Sequence, residues 1–363
     1  MAKKTDSITH KFDPDYAVPP GRTLQETIDS LGIDQRELAE RTGISTKTLN
    51  LIIKGKAPLS QQTAMLLERV TNVPARIWNN LEASYQEQLA RLQARDELQK
   101  QIEWLKTIPT RELVSRGLLA AAKDKISLLE QTLSFFRVAS VEAWYEGWGK
   151  GQFAFRKSNQ ASCIDGRLAT WLQIAELHAE QTDVAAFTKA RFAAAVSRIR
   201  KLTTEEPEVF VPAMVDICQN AGVAFCLVPE IDGARISGAA KWLTARKAMI
   251  AVNLRGKKND LFWFTFFHEA GHILNDSKKE TYVDVSYSDD PRESSANQFA
   301  RHTLIPTKYE DRLTVLQTER QIRAFASELD LAPGIIVGRL QHEKLITYSQ
   351  FNHLKSTFAW TGE

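Results

Sequence analysis

At 363 residues the chain is too long for one typical core, so two or three domains are expected. Hydrophobic residues make up 43% and charged residues 25%, as in ordinary globular proteins, and a net charge of +3 neither demands nor excludes a nucleic-acid partner. The three cysteines, Cys163, Cys218 and Cys226, are odd in number and form no CxxC pair, which argues against both a disulfide framework and a cysteine zinc ribbon and fits a reducing compartment.

Residues 1–19 are polar, carry Pro14 and Pro19, and read as an arm. They lack the apolar stretch of a signal peptide, and no later run approaches the ~18 apolar residues of a membrane span, so no membrane association and a cytoplasmic location are expected. Residues 20–92 read as a small all-α domain of five short helices. TLQETIDSLG closes on Gly32; DQRELAERTG starts on Asp34, with Glu37 three residues on, and closes on Gly43. STKTLNLIIKG starts on Ser45, SQQTAMLLERVTN starts on Ser60, and ARIWNNLEASYQEQLARLQ follows Pro74.

Within this domain, DQRELAERTG and STKTLNLIIKG flank a glycine-containing turn, as a helix-turn-helix requires. The second helix opens with short polar and basic side chains where a recognition helix meets base edges, so Ser45, Thr46, Lys47, Thr48 and Asn50 are candidate DNA contacts. From Arg41 to Leu67 the chain carries Arg41, Lys47, Lys54 and Lys56 and no acidic residue, a local positive patch suited to phosphates. Leu49, Ile52 and Ile53 should face inward. The set Pro20-Gly21 and Leu24, then Gln35, Glu37, Leu38 and Ala39, then Trp78, Leu81 and Tyr85 resembles the HigA-type antitoxin branch of the Cro/CI-type helix-turn-helix proteins. The resemblance implies that Gln35 clamps a phosphate, that Thr46, Lys47, Thr48 and Asn50 face the major groove, and that a homodimer binds a palindromic operator in double-stranded DNA.

Residues 93–200 read as a helical connector. ARDELQKQIEWLKTIP stops at Pro109; ISLLEQTLSFFRV and EAWYEGWG follow; GKGQFAFRKSNQ is a break; RLATWLQIAELHAEQ and DVAAFTKARFAAAVSRIRKL are two more helices. Beyond Pro207 the pattern becomes α+β and defines a third region, residues 201–363. The helix VFVPAMVDICQNAG leads to three strands, VAFCLVP, ARISGAAKWL and KAMIAVN. NDLFWFTFFHEAGHILND is a helix, residues 276–291 a loop, and RESSANQFARHTL a helix ending at Pro306. Two helices near residues 319–329 and 332–342 complete the region. The fold class is therefore multidomain and mainly α, with a C-terminal α+β domain.

FFHEAGHIL places His268 and His272 four apart, one turn apart on one helix face, with Glu269 turned about 100° away from His268. In this H-E-x-x-H arrangement two imidazoles hold zinc and the glutamate is the general base of a peptidase. A zinc ion there lowers the pKa of its water toward ~7. Ala270 and Gly271 are small enough to let another element approach. A third ligand is needed, and Asp276, Asp284, Asp289, Asp290, Glu293 and His302 are all within the following stretch. Glu293 and His302, nine residues apart, cannot both serve.

HEAGH followed by Glu293, Ala296, Asn297, Phe299, Ala300 and Leu304-Ile305-Pro306 resembles the ImmA/IrrE metallopeptidases, a zincin-like family that cleaves transcriptional repressors. The resemblance covers about residues 200–310. It implies that His268, His272 and Glu293 hold Zn2+ and that Glu269 is the base, with a repressor, an antitoxin-type partner or the chain itself as substrate. His302 is a candidate transition-state donor, with Tyr282, Tyr287 and Tyr309 as equal candidates. The competing reading is a repressor or antitoxin whose peptidase-like domain senses or binds a partner without cleaving it. Manganese can also occupy a His2Glu set.

Overall fold

The computed structural model describes residues 16–149, 165–276, 281–284 and 291–360. The chain divides into two compact units, Met1–Ile102 and Glu103–Glu363.

The first unit contains α1 Pro20–Leu31, α2 Gln35–Thr42, α3 Thr46–Ile53, α4 Gln61–Thr71 and α5 Ala75–Gln101. The expected starts are built as read. Asp34 accepts from the Glu37 N–H at 2.7 Å, and Ser45 and Ser60 accept from Thr48 and Thr63 at 3.1 Å. Each cap satisfies one backbone donor that the first turn leaves open. Leu24, Ile28, Leu38, Leu49, Ile52, Leu67 and Trp78 form one buried core, with Ile53 packed at its edge. The helix after Pro74 is longer than expected. Nothing between Leu92 and Gln101 breaks a helix, so α5 runs 27 residues through the domain boundary expected after residue 92.

The second unit opens with α6 Thr110–Ser115, α7 Lys125–Phe135, α8 Val141–Gly149, α9 Gly166–Gln181 and α10 Lys189–Arg200. The apolar spacing of DVAAFT predicts helix, but α10 starts only after Thr188, whose side chain caps it through the Arg191 N–H. Next come α11 Pro207–Asn220, β1 Val223–Leu227, β2 Gly238–Thr244, β3 Lys247–Val252, α12 Asn259–Asn275, β4 Thr281–Asp284, α13 Pro291–Leu304, α14 Glu319–Leu329 and α15 Pro333–His342. β4 lies inside the stretch read as loop. It is four residues long in a polar run, too short to carry an alternation signal.

The sheet order is β1-β3-β2-β4, with β1 parallel to β3 and β2 antiparallel to both its neighbours. Alternation sorts its side chains. Val223, Phe225, Ala240, Trp242, Ala248, Ile250 and Val252 point into the main core, which also takes Phe210 and Met214 of α11 and Phe266 and Phe267 of α12. The opposite face carries Ala224, Cys226, Ala239, Met249 and Ala251, all buried. There α9 packs on β1, β2 and β3. Trp171 of α9 donates to the Val228 carbonyl at 3.3 Å, and Glu176 meets Lys241 at 2.5 Å. α9 is thus the third layer of an α/β/α arrangement. The small side chains opposite it are what allow the close approach.

The start of α12 is tied to residues near 355. Lys355 reaches Asp260 at 2.6 Å and Gln341 at 2.7 Å, and Phe358 donates its N–H to the Lys257 carbonyl at 2.8 Å.

Candidate metal centre and nucleic-acid interface

Phe262, Trp263, Phe266, Phe267, Ala270, Ile273 and Leu274 of α12 are all buried. Burying a large apolar side chain contributes ~1.5–3 kcal/mol, and several such side chains hold this helix inside the unit although it also carries polar groups. Those groups are His268, Glu269 and His272, at 2%, 0% and 1% exposure.

Helix α13 supplies the third member. It crosses α12 at the two small residues, and a Cβ on Gly271 would stand 3.2 Å from the Ala296 Cα. This close approach brings Glu293 Oε2 to 3.1 Å from His268 Nε2 and Oε1 to 3.5 Å from His272 Nε2. The two Nε2 atoms are 3.1 Å apart. Tetrahedral zinc with bonds of ~2.0–2.1 Å requires donors separated by about 3.3 Å, so this donor set fits the ion. Among the described residues these three are the group able to converge on a metal.

The outer ring nitrogens are held as well. His268 Nδ1 lies 3.1 Å from Asn297 Oδ1 and His272 Nδ1 lies 2.6 Å from Asp276 Oδ2. An Nδ1–H donated outward leaves the Nε2 lone pair directed inward, and a carboxylate behind the ring makes that nitrogen a stronger donor to a cation. Asp276, weighed as a third ligand, therefore stands behind His272 instead of beside Glu293. Burial disfavours protonation of His272, but hydrogen bonds and charge from Glu293 and Asp276 outweigh it and hold the pKa above its ordinary value. Burial would raise Glu293, but the two imidazoles outweigh it and hold the carboxyl well below the usual range. Both directions describe a carboxylate that stays ionised and a pocket that favours positive charge.

Glu269 packs where β2 begins. A Cβ on Gly238 would come within 2.8 Å of Glu269 Oε1 and 2.6 Å of Thr265 Cγ2. Gly238 was missed in the sequence. The residue is separated from Glu269 by two strands, and only the sheet register brings it near.

His302 is not brought to this cluster; its Nε2 lies 3.6 Å from Glu310 Oε1. Tyr309 packs on Phe325 with a centroid distance of 6.2 Å. The side chains of Tyr282 and Asp284, and Tyr287, Asp289 and Asp290, lie outside the described residues, as do residues 150–160 of the GKGQFAFRKSNQ break and most of the 1–19 arm.

In the first unit, α2 closes on Gly43 and α3 starts after Ser45, giving a helix-turn-helix. Ser45, Thr46, Lys47 and Thr48 are exposed at the start of α3. The Ser45 and Thr48 hydroxyls lie 2.8 Å apart and so are partly engaged with each other. Gln35 accepts from Asn50 at 3.5 Å and donates to Gln25 at 2.8 Å, so three amides from α1, α2 and α3 form one chain. Gln25 was not singled out in the sequence. Lys54 is the C-cap of the eight-residue α3, roughly 12 Å along the axis from Thr46, and is not gathered with the others.

Residues 24–78 match the helix-turn-helix family, and residues 226–322 match the IrrE N-terminal-like domain, a peptidase family. Over 66 residues the chain is 32% identical to the uncharacterized HTH-type transcriptional regulator YddM of Escherichia coli (strain K12), covering 18% of this chain and 70% of that protein. The chain belongs to the Cro/CI-type helix-turn-helix regulators. A solved structure of a Nostoc punctiforme protein, described as an antidote protein of a plasmid maintenance system, is 26% identical and aligns with 24% of the regulator and 94% of its own chain at a TM-score of 0.22. The regulator adds to its DNA-binding fold an IrrE/ImmA-like peptidase domain, and the His268–His272–Glu293 cluster falls within that matched span. No helix among the described residues is long and apolar enough to cross a membrane.

Proposed function

We propose that this regulator carries a zinc-dependent endopeptidase, acts in the cytoplasm, and cleaves a repressor or antitoxin-type partner, or itself. The observation that carries the reading is the convergence of the His268 and His272 Nε2 atoms with the Glu293 carboxylate at 3.1–3.5 Å. When bound, zinc supplies a Lewis acid that polarises a carbonyl and acidifies water near neutral pH. The chain's own residues do the rest. Asn297 and Asp276 fix both imidazole orientations. Glu269 takes a proton from the attacking water at its carboxylate and passes it to the departing peptide nitrogen. In the first unit, Thr46, Lys47, Thr48 and Asn50 read a palindromic operator in a homodimer, Ser45 and Lys54 add polar contacts, and Gln35, braced by Gln25, holds a phosphate.

One observation favours the competing sensor or partner-binding reading: Glu269 is 0% exposed. Metal analysis of wild type, His268→Ala and Glu269→Gln separates the two when paired with cleavage of a candidate partner. About one zinc per chain in wild type and Glu269→Gln, with loss in His268→Ala, is expected. Cleavage should be confined to the wild type. Zinc in all active folds with no difference between wild type and Glu269→Gln in any regulatory response would sink the peptidase reading and leave the sensor.

A further inference from the structure

A cavity of about 120 Å3 opens on α12, α13 and α15 of the second unit. Its walls are Leu261 and Phe264 of α12, Leu304 and Ile305 at the end of α13, and Ile335 of α15. Its position relative to the metal cluster follows from helix periodicity. On α12, Phe264 precedes His268 by one turn, and the two rings lie 6.3 Å apart. On α13, Glu293, Asn297 and Arg301 recur every four residues along one stripe. Phe264 is thus a wall shared between the cluster and the cavity. The cavity therefore lies about one helical turn along α12 from His268.

Four polar side chains border the cavity: Asp260, Arg301, Arg339 and His342. Asp260 is paired with Lys355 through Oδ2 at 2.6 Å, while its Oδ1 is buried without a hydrogen-bond partner. Arg339 is paired with Glu310 at 2.8 Å and also with Glu343. Arg301 differs. Among the described residues its one polar contact is His342 Nε2, 2.7 Å from Nη2, and its Nε is buried without a hydrogen-bond partner. Burial, together with the Arg301 and Arg339 charges, lowers the His342 pKa. A neutral imidazole accepts from Arg301 but brings no negative charge. A buried guanidinium N–H without an acceptor is costly, and a carboxylate satisfies it best.

We propose that this cavity is a specificity pocket that takes a glutamate side chain of the bound peptide, its methylenes against the apolar walls and its carboxylate on Arg301. The inference rests on the peptidase reading, because the glutamate it selects belongs to a peptide bound at the metal cluster one turn away. It assigns Arg301 a role in selection and none in hydrolysis.

The test uses Glu269→Gln as a chain that holds peptide without cleaving it. That protein and the double variant Glu269→Gln/Arg301→Glu, both full length and zinc-loaded, are panned against a random heptapeptide library, with zinc content measured alongside. Glu269→Gln should enrich glutamate over leucine and lysine at one position, on the order of tenfold, as expected of one charge-assisted hydrogen bond. The double variant should lose that enrichment or turn it toward lysine. Arg301→Lys in the same background keeps the charge and should retain the preference; it also covers the case in which Arg301→Glu fails to fold. Enrichment of leucine, enrichment at no position, or a glutamate preference that survives Arg301→Glu would overturn the proposal. If zinc is absent from every protein while the Arg301-dependent glutamate preference persists, the peptidase reading fails and the pocket stands as a peptide-binding site.

Discussion

Polar side chains are used in opposite ways in the two units. Ser45, Thr46, Lys47 and Thr48 occupy consecutive positions and are exposed. They keep their hydration, and the core beneath them would form without them. His268, Glu269 and His272 are buried with Glu293 drawn in from another helix, and both imidazoles depend on neighbours to be tolerable there. The first surface is local and adaptable. The second is a product of the whole fold, so substitutions that never touch a ligand should reach it.

That contrast is open to attack, and the strongest blow falls on the residues behind the histidines. Asn297→Ala and Asp276→Asn should each weaken zinc affinity by ~10–100-fold in competition with a chelating dye. Unchanged affinity in both would mean that the imidazoles are fixed by packing alone. Next in size is Gly238→Ala. The added methyl lands on Glu269 and Thr265, and a forced shift of this kind costs ~1–3 kcal/mol. Cleavage should fall further than thermal stability, with zinc retained; an equal loss of all three would make Gly238 a packing residue only.

The exposed unit should yield smaller effects. Ser45→Ala removes the α3 cap and should lower the stability of the first unit by ~1 kcal/mol in a urea melt, leaving zinc content alone. Lys47→Ala should weaken operator binding modestly and reduce the salt slope of a mobility-shift titration by about 1. A Lys47→Ala protein that also loses zinc would break the independence of the two sites.

What could be read in advance follows the same division. The helix-turn-helix was legible because its signals are contiguous: Asp34, Gly43 and Ser45 mark the boundaries, and Leu38, Leu49 and Ile52 the buried side. His268, Glu269 and His272 were legible because one helical turn sets their spacing. Glu293 depended on a family motif, since spacing alone left Asp276 and His302 in contention. The structure puts Asp276 on the far side of the His272 ring and His302 beside Glu310. Gly238 and the Arg301 pocket were out of reach, because strand register and the packing of three helices bring those residues to their neighbours. β4 and the late start of α10 were missed for a simpler reason. A four-residue strand has no period to detect, and DVAAFT offers apolar residues at helical spacing although Thr188 is the cap.

The alanine-rich back of the sheet has a consequence for how such chains can be rearranged. The span that matches the peptidase family begins at residue 226, whereas the helix that covers Ala224, Cys226, Ala239 and Ala251 ends at Gln181. A gene fusion cut at the edge of the recognisable motif would carry the histidines and the glutamates but split β1 and discard both α9 behind the sheet and α11 in the main core. The heritable signature and the transplantable part are different objects in this protein, and the second begins well upstream of the first.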